Sequence, residues 1–571
     1  MDIKDAIGKR LIYFDGGMGT MVQEAGLKAG QQPEVYNMTH PHIIASIHKA
    51  YIEAGSDIIT TNTFGANEYK LEGTGFTVEE VVGQGVKLAK EAARDKWVAL
   101  DIGPIGQLME PNGPLSFGDA YKLVARQVKA GAQAGADAII IETVADIYEM
   151  KAAVLAAKEN SSLPVFCTLT YEESGRTMMG TDSLTAVNIL EGLGVDAIGA
   201  NCSLGPSELL PIVDEILKYA HIPVIVQPNA GLPILKNGET TFPMDAEEFA
   251  LHARTMIDKG VRIIGGCCGT NPEFIKELRI TTEDIKDNPP TTIPERITAV
   301  SSSSNTVVFG EDVRIIGERI NPTGKKSIEK ALLEKDYDEI ISEAIEQRMA
   351  GADILDINVG VPGVDEKEVM MDVLREVQVM VNTPLQIDSA DPKVIEGAVR
   401  IYNGKPIINS VTGDKSSMEA IFPIAKKYGA CVIGLTMDEK GIPDTAKERV
   451  DIARLILETG LEYGIPKENI LIDTLVLTAS VNQNNIMETL KAVEMVKVEL
   501  GVKAILGISN ISFGLPKRNL LNRTFLAMAL LKGLDGGILD PLDGEMIETI
   551  DSYRALANID RDFSEYIKNY R

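Results

Sequence analysis

The chain has 571 residues, with 83 Asp plus Glu against 56 Lys plus Arg and a formal net charge of −27. That length predicts two or more domains, and that charge repels nucleic-acid phosphates and anionic membranes, so neither is an expected partner. Five cysteines are too few, and odd in number, for a disulfide framework, while the charged opening MDIKDAIGKR and the lack of a bilayer-length apolar run predict a cytosolic protein.

Residues 1–285 repeat one unit, a short apolar run ending in small or polar residues and followed by a helical stretch. The runs begin LIYFDGG at Leu11, DIITTNTF at Asp57, VALDIGP at Val98 and DAIIIETV at Asp137. They continue VFCTLTY at Val165, DAIGANCS at Asp196, VIVQPNA at Val224 and VRIIGGCCG at Val261. Val/Ile-rich runs without clean alternation are strands covered on both faces. Helical stretches such as SELLPIVDEILKYA at Ser207 separate them, and Gly55, Gly135, Gly194 and Gly260 stand where helices should end. Eight such units predict a (β/α)8 barrel. A doubly wound open sheet is the alternative, but DGGMGT lacks the G-x-G-x-x-G spacing of a phosphate loop.

The pattern breaks over residues 286–312, where Pro289, Pro290, Pro294 and the run Ser301–Ser304 predict a linker. It resumes over 313–571 with VRIIGERINPTG at Val313, ADILDINVG at Ala352, PLQIDSA at Pro384 and KPIINSVTG at Lys405. ACVIGLTMD at Ala430, ILIDTLVL at Ile470, AILGISNISFG at Ala504 and GLDGGILDP at Gly533 complete a second set of eight. The fold class is α/β, two (β/α)8 TIM barrels in tandem.

Such barrels carry their chemistry at the carboxyl ends of the strands. In the first, Cys202 ends strand six, and Cys267 and Cys268 end strand eight. Strand ends two positions apart can reach one ion, and three thiolates suit tetrahedral Zn²⁺ with one position left for a substrate thiol. The spacing alone also fits a vicinal redox pair or three small buried residues. Cys167 and Cys431, inside apolar runs, read as core. Asn229, in QPNAGLP, is placed to fill the open zinc position through its amide oxygen or to contact substrate. In the second barrel Glu318, Asn321, Asp356, Asn358, Asp388, Asn409, Asp473 and Asn510 stand at strand ends. Carboxylates and amides suit a flat heterocycle read by paired hydrogen bonds. A pterin fits, as do some sugars and purines, and part of the set would serve as helix caps.

DGGMGT at Asp15, IIIETVAD at Ile139, GANCS at Gly199 and GGCCGT at Gly265 resemble the homocysteine-binding barrel of cobalamin-dependent methionine synthases and of betaine–homocysteine methyltransferases. The resemblance implies zinc on Cys202, Cys267 and Cys268, with Asp15 and Glu142 on the amino group of homocysteine. GERINPTG at Gly317, DINVG at Asp356, QIDS at Gln386, INSVTG at Ile408 and GISNISFG at Gly507 resemble the pterin-binding barrels of dihydropteroate synthases and methyltetrahydrofolate-to-corrinoid methyltransferases. This second resemblance implies pterin contacts from Asp388, Asn409 and Asp473, with Asn510 near the methylated ring nitrogen. Glu318 and Asn321 complete the folate set.

Together the two resemblances imply methyl transfer from 5-methyltetrahydrofolate through cobalamin to homocysteine. The D-x-H-x-x-G motif, whose histidine ligates cobalt in that family, does not occur here. The expectation is two half-reactions, with cobalamin held on a missing domain or a separate protein. Direct or other thiol methylation, and a non-catalytic zinc or folate sensor, are the alternatives.

Overall fold

The computed structural model describes residues 3–28, 30–236, 239–287 and 293–571. They fall into two units, Met1–Glu295 and Arg296–Arg571.

The first unit contains the eight expected barrel strands: β1 (Ile12–Tyr13), β2 (Ile58–Thr60), β3 (Trp97–Ile102), β4 (Ala138–Val144), β5 (Val165–Leu169), β6 (Ala197–Asn201), β7 (Val224–Gln227) and, later in the chain, β10 (Ile263–Ile264). All pair in parallel in the order β1-β10-β7-β6-β5-β4-β3-β2. The remaining seam, between β1 and β2, is bridged by Asp57 N–H donating to Tyr13 O at 2.7 Å. A small antiparallel hairpin, β8 (Ile234–Lys236) with β9 (Glu239–Thr241), is inserted after β7. The four glycines expected at helix ends all have positive φ, from 73° to 134°, a region closed to most side chains.

The strand starts pack inward as an apolar floor of Ile12, Ile58, Ala138, Phe166, Ala197 and Ile263, and Ile3 and Ala6 of the short N-terminal helix join it. The carboxyl ends of the strands are left for polar groups.

The second unit opens with β11 (Ala299–Ser301) and β12 (Thr306–Val308), an antiparallel hairpin inside the stretch expected to be a linker. Pro289 and Pro290 of that stretch lie outside the described residues. From Arg296 onward the segment belongs to the second unit. Val300, Val307 and Phe309 pack with Ile316, Ile354, Ile407, Leu471 and Ile505 at the strand starts. The serine run is the turn of the hairpin: Ser302 Oγ accepts from Asn305 N–H at 3.2 Å and donates to Asn382 O at 2.7 Å. Small polar residues thus mark a tight turn here, not a tether.

Eight parallel strands then close on themselves: β13 (Arg314–Ile320), β14 (Ile354–Asn358), β15 (Leu385–Asp388), β16 (Ile407–Thr412), β17 (Cys431–Leu435), β18 (Ile470–Asp473), β19 (Lys503–Gly507) and β20 (Gly536–Leu539). Cys431 is fully buried in the floor, as Cys167 is in β5. Among the described residues no helix is long and apolar enough to cross a membrane.

Candidate functional site

In the first unit the backbone turns sharply at the end of β6. Cys202 and Ser203 both have positive φ, 59° and 55°, and Cys202 N–H donates to Gln227 O at 3.0 Å. Beyond β10, Gly266 N–H donates to Asp15 O at 3.0 Å and Cys267 N–H to Pro228 O at 2.8 Å. Gly266 is required there, since a Cβ would fall 2.4 Å from Thr270 Oγ1. These turns bring the sulfurs of Cys202, Cys267 and Cys268 within 4.8 Å of one another, with Cys202 and Cys268 at 3.9 Å.

Thiol hydrogen bonds from Cys267 and Cys268 hold Cys202 well below the ordinary thiol range, and the same bonds push Cys267 and Cys268 up. Without a cation the trio therefore holds one thiolate most readily. A dication reverses that order and favours three thiolates.

The sulfurs face a cavity of about 200 Å³. Its wall includes Glu34, Thr60, Asn62, Asp101, Glu142 and Thr143. Burial, then repulsion from Cys202 and Asp15, pushes Glu142 up to about 8. Asp15 is 1% exposed, and burial raises it to about 7 although Thr60 donates to it from N–H at 2.8 Å and from Oγ1 at 3.2 Å. Asn201, fully buried, ties these parts together. Its Oδ1 accepts from Thr143 N–H and Thr168 Oγ1, both at 2.8 Å, and its Nδ2 donates to Thr143 Oγ1 at 2.8 Å and Glu142 Oε2 at 3.4 Å.

In the second unit, strand register builds the site. Asn358, Asp388 and Asn409 are successive partners across β14, β15 and β16, so their side chains leave the sheet on one side. Asn358 Nδ2 donates to Asp388 Oδ2 at 3.0 Å, and Gln386 Nε2 to Asp356 Oδ1 at 2.6 Å. Burial raises Asp388 despite the Asn358 bond. Asp356 rises further, through burial and then the Asp388 charge. Asp473, 7% exposed, is raised by burial to about 7 and accepts from Leu475 N–H at 2.7 Å. Ser509 Oγ donates to Glu318 Oε1 at 2.6 Å.

Two family descriptions match the sequence: homocysteine S-methyltransferase over residues 12–282 and pterin binding enzyme over residues 317–540. The chain joins a homocysteine S-methyltransferase domain to a pterin-binding domain. Methionine synthase of Mycobacterium tuberculosis is 33% identical over 581 residues, covering 94% of this chain and 48% of that protein. Methionine synthase of Mycobacterium leprae is 32% identical over 586 residues with the same coverage. The chain spans about half the length of these curated relatives. Among solved structures, the metallated homocysteine methyltransferase MmuM from Escherichia coli is similar over 48% of this chain and 96% of its own, at 22% identity and TM-score 0.42. A dihydropteroate synthase from Xanthomonas albilineans is similar over 46% of this chain and 98% of its own, at 17% identity and TM-score 0.36.

In the homocysteine S-methyltransferase domain the three cysteines and Glu142 converge on one cavity. Asn229 sits differently from the expectation for it. Its Oδ1 accepts from Cys268 N–H at 3.1 Å and its side chain also bonds Cys202, so it braces the sulfurs from behind. Asp15 lies beside the cavity with its carboxyl turned to Thr60. In the pterin-binding domain Asp388 and Asn409 occupy the ends of the adjacent strands β15 and β16, and Asp473 ends β18, with β17 between. Asn321 Oδ1 closes a local turn by accepting from Thr323 N–H at 2.9 Å. Asn510 is exposed and lies back over Gly507, where a Cβ would stand 2.8 Å from its Nδ2.

Sequence reasoning missed Asn201, Asp101, Glu34 and Ser509. Asn201 immediately precedes Cys202, and Asp101 lies near the end of β3, so the strand-end rule reaches both. Glu34 sits in a three-residue 3-10 helix, Pro33–Val35, too short to carry a pattern.

Proposed function

We propose that the chain catalyses methyl transfer from 5-methyltetrahydrofolate, by way of cobalamin, to the thiol of homocysteine, giving methionine and tetrahydrofolate. The observation that carries this reading is the three-sulfur cluster facing a cavity with carboxyls in its wall. A thiol amino acid offers what each part of that cavity lacks, a sulfur at one end and an ammonium at the other.

The donor set fits zinc, because three clustered thiols are soft, can ionise together around a dication, and leave a tetrahedral position open. Zinc held by Cys202, Cys267 and Cys268 would supply the Lewis acidity that keeps a substrate thiol ionised near neutral pH. Glu142 and Asp15 hold the substrate ammonium, and Asn201 fixes Glu142. Asn229 braces Cys268 and Cys202.

In the second unit Asp388, Asn409 and Asp473 read the pterin ring. Glu318, Asn321 and Asn510 line the approach to it, with Asn510 orienting the proton delivered to the leaving ring nitrogen. An amide can orient that proton and is not itself the acid. Neither barrel offers cobalamin a histidine at a strand end, so a cobalamin-binding domain or protein is assigned to hold it. The name shared by the two mycobacterial relatives supports methionine as the product.

The test separates the two halves. Zinc-loaded protein should make methionine from homocysteine and free methylcobalamin, and should make tetrahydrofolate from methyltetrahydrofolate and reduced cobalamin. Absence of both products would overturn the reading.

A further inference from the structure

Two carboxyls in the sulfur-bearing cavity, Asp101 and Glu34, are not among those assigned to the ammonium. Asp101 is on β3, 6% exposed, and lines the cavity. Its backbone is engaged, with N–H donating to Thr61 Oγ1 at 3.0 Å and O accepting from Thr63 Oγ1 at 2.7 Å. Its Oδ1 is buried and has no hydrogen-bond partner among the described residues. Glu34, 3% exposed and also in the wall, repeats the pattern in weaker form: Oε1 accepts from Gly65 N–H at 2.6 Å, while the buried Oε2 has no partner. The nearest cation influencing both is Lys70, whose Nζ is committed to Pro104 O at 2.7 Å.

A buried carboxyl oxygen without a donor is costly unless a ligand supplies one. The ligand must be cationic or rich in N–H, because Asp101 already suffers repulsion from Glu142, Asp15 and Glu34 on top of its burial. An ammonium carries three donors. Glu142 takes one and Asp15 a second, through an acceptor site that Thr60 leaves free, so a third donor remains for another wall carboxyl.

From this geometry we infer that Asp101 is a substrate-binding residue, accepting a hydrogen bond from the ammonium of the thiol amino acid, so that this barrel selects α-amino thiols over thiols lacking the amine. The inference rests on the reading of this cavity as a thiol amino acid site, and goes beyond it by naming the group that enforces the amine requirement.

The test uses the full chain loaded with zinc and compares homocysteine with 4-mercaptobutyrate, the same molecule without its amino group. Binding is measured by calorimetry for wild type and for Asp101→Asn, which keeps the side-chain shape and removes the charge. Metal content and thermal unfolding are checked for both proteins. Wild type should bind homocysteine at least about tenfold more tightly than 4-mercaptobutyrate. Asp101→Asn should bind homocysteine about tenfold to a hundredfold more weakly, the usual span for one charge-assisted hydrogen bond, with 4-mercaptobutyrate unchanged. Equal losses for both thiols, no loss for either, or loss of zinc from the variant would each overturn the assignment. Wild-type protein that holds zinc and binds neither thiol would overturn the reading of the cavity itself, which is a different result from any of these.

Discussion

Asn201→Ala is the most demanding single test of how the first site is held. The substitution removes, from a fully buried side chain, an acceptor shared by Thr143 N–H and Thr168 Oγ1 and a donor to Thr143 Oγ1, all at 2.8 Å. A buried donor, Thr168 Oγ1, and a half-buried one, Thr143 N–H, are left without these partners, at a cost of up to about 1–3 kcal/mol each. Thr143 also has φ 61°, a region that a β-branched residue enters only when its surroundings impose it. The expected total is about 3 kcal/mol, or less if Thr143 relaxes out of this conformation.

The assay is specific because the chain has one tryptophan, Trp97, which starts β3 and packs partly buried against the floor of the first barrel. Urea unfolding followed at Trp97 therefore reports the first unit. With a slope of about 3 kcal/mol per molar, the midpoint should fall by about 1 M. Homocysteine affinity should fall as well, since Glu142 loses its Asn201 contact. A midpoint shift under about 0.3 M together with unchanged homocysteine affinity would refute the argument that Asn201 organises this site.

The other predictions are narrower. Metal analysis after dialysis should find close to one zinc per chain, most of it gone in Cys267→Ala and all of it kept in Cys167→Ala; full retention by the first variant would remove Cys267 from the metal site. Zinc uptake near pH 7 should release about two protons, because thiol hydrogen bonding lets Cys202 ionise first and holds Cys267 and Cys268 protonated. Calorimetry in buffers of different ionisation enthalpy counts these protons, and none released would contradict the shared-thiolate arrangement. Burial raises both Asp15 and Glu149 to about 7. Their contribution to stability is therefore fully present below about pH 4 and is lost as pH rises through 7, so in metal-free Cys202→Ala, which removes the opposing contribution of the depressed Cys202 thiol, the Trp97 urea midpoint should be lower at pH 8.5 than at pH 5.5, and a flat or rising midpoint would count against it. Asp473, also near 7, predicts a trade-off at pH 8. Asp473→Asn should slow hydrogen exchange in β17 and β18 while weakening methyltetrahydrofolate binding at least about tenfold, and it should leave homocysteine methylation by free methylcobalamin near normal.

The sixteen barrel strands were legible because strands buried on both faces need unbroken apolar runs, and each run ends where the polar rim begins. The same rule marked Asp388, Asn409 and Asp473 as strand-end polar groups; the first two stand in register on adjacent strands, and Asp473 ends β18, with β17 between it and Asn409. It says less where an amide also serves a turn or a backbone group. Asn321 and Thr323 make a local turn, and Asn229 points its oxygen at a backbone N–H; sequence position alone does not say which way an amide faces. The hairpin at 299–308 was hidden for a related reason. Each of its strands is three residues long, too short for a period to show, and its serines read as tether until Asn382 is seen across from Ser302.

The acidic wall was hidden by composition. In a chain of net charge −27 Glu34 and Asp101 attract no notice, motifs draw out only Asp15 and Glu142, and the four come from separate segments. Only the closure of the barrel makes them neighbours, and that closure changes what each is worth. A carboxylate on the surface is solvated and cheap, whereas several around one small cavity repel one another with little water to screen them. Such a cavity is stable with its carboxyls partly protonated or with a cation inside it. The sulfur cluster beside it faces the same problem, since three thiolates cannot coexist there unless a dication draws them together. The two halves of the site therefore make one electrostatic demand, for positive charge at two places, and a metal ion on the sulfurs with an ammonium at the carboxyls answers it while leaving the thiol of the same substrate molecule between them.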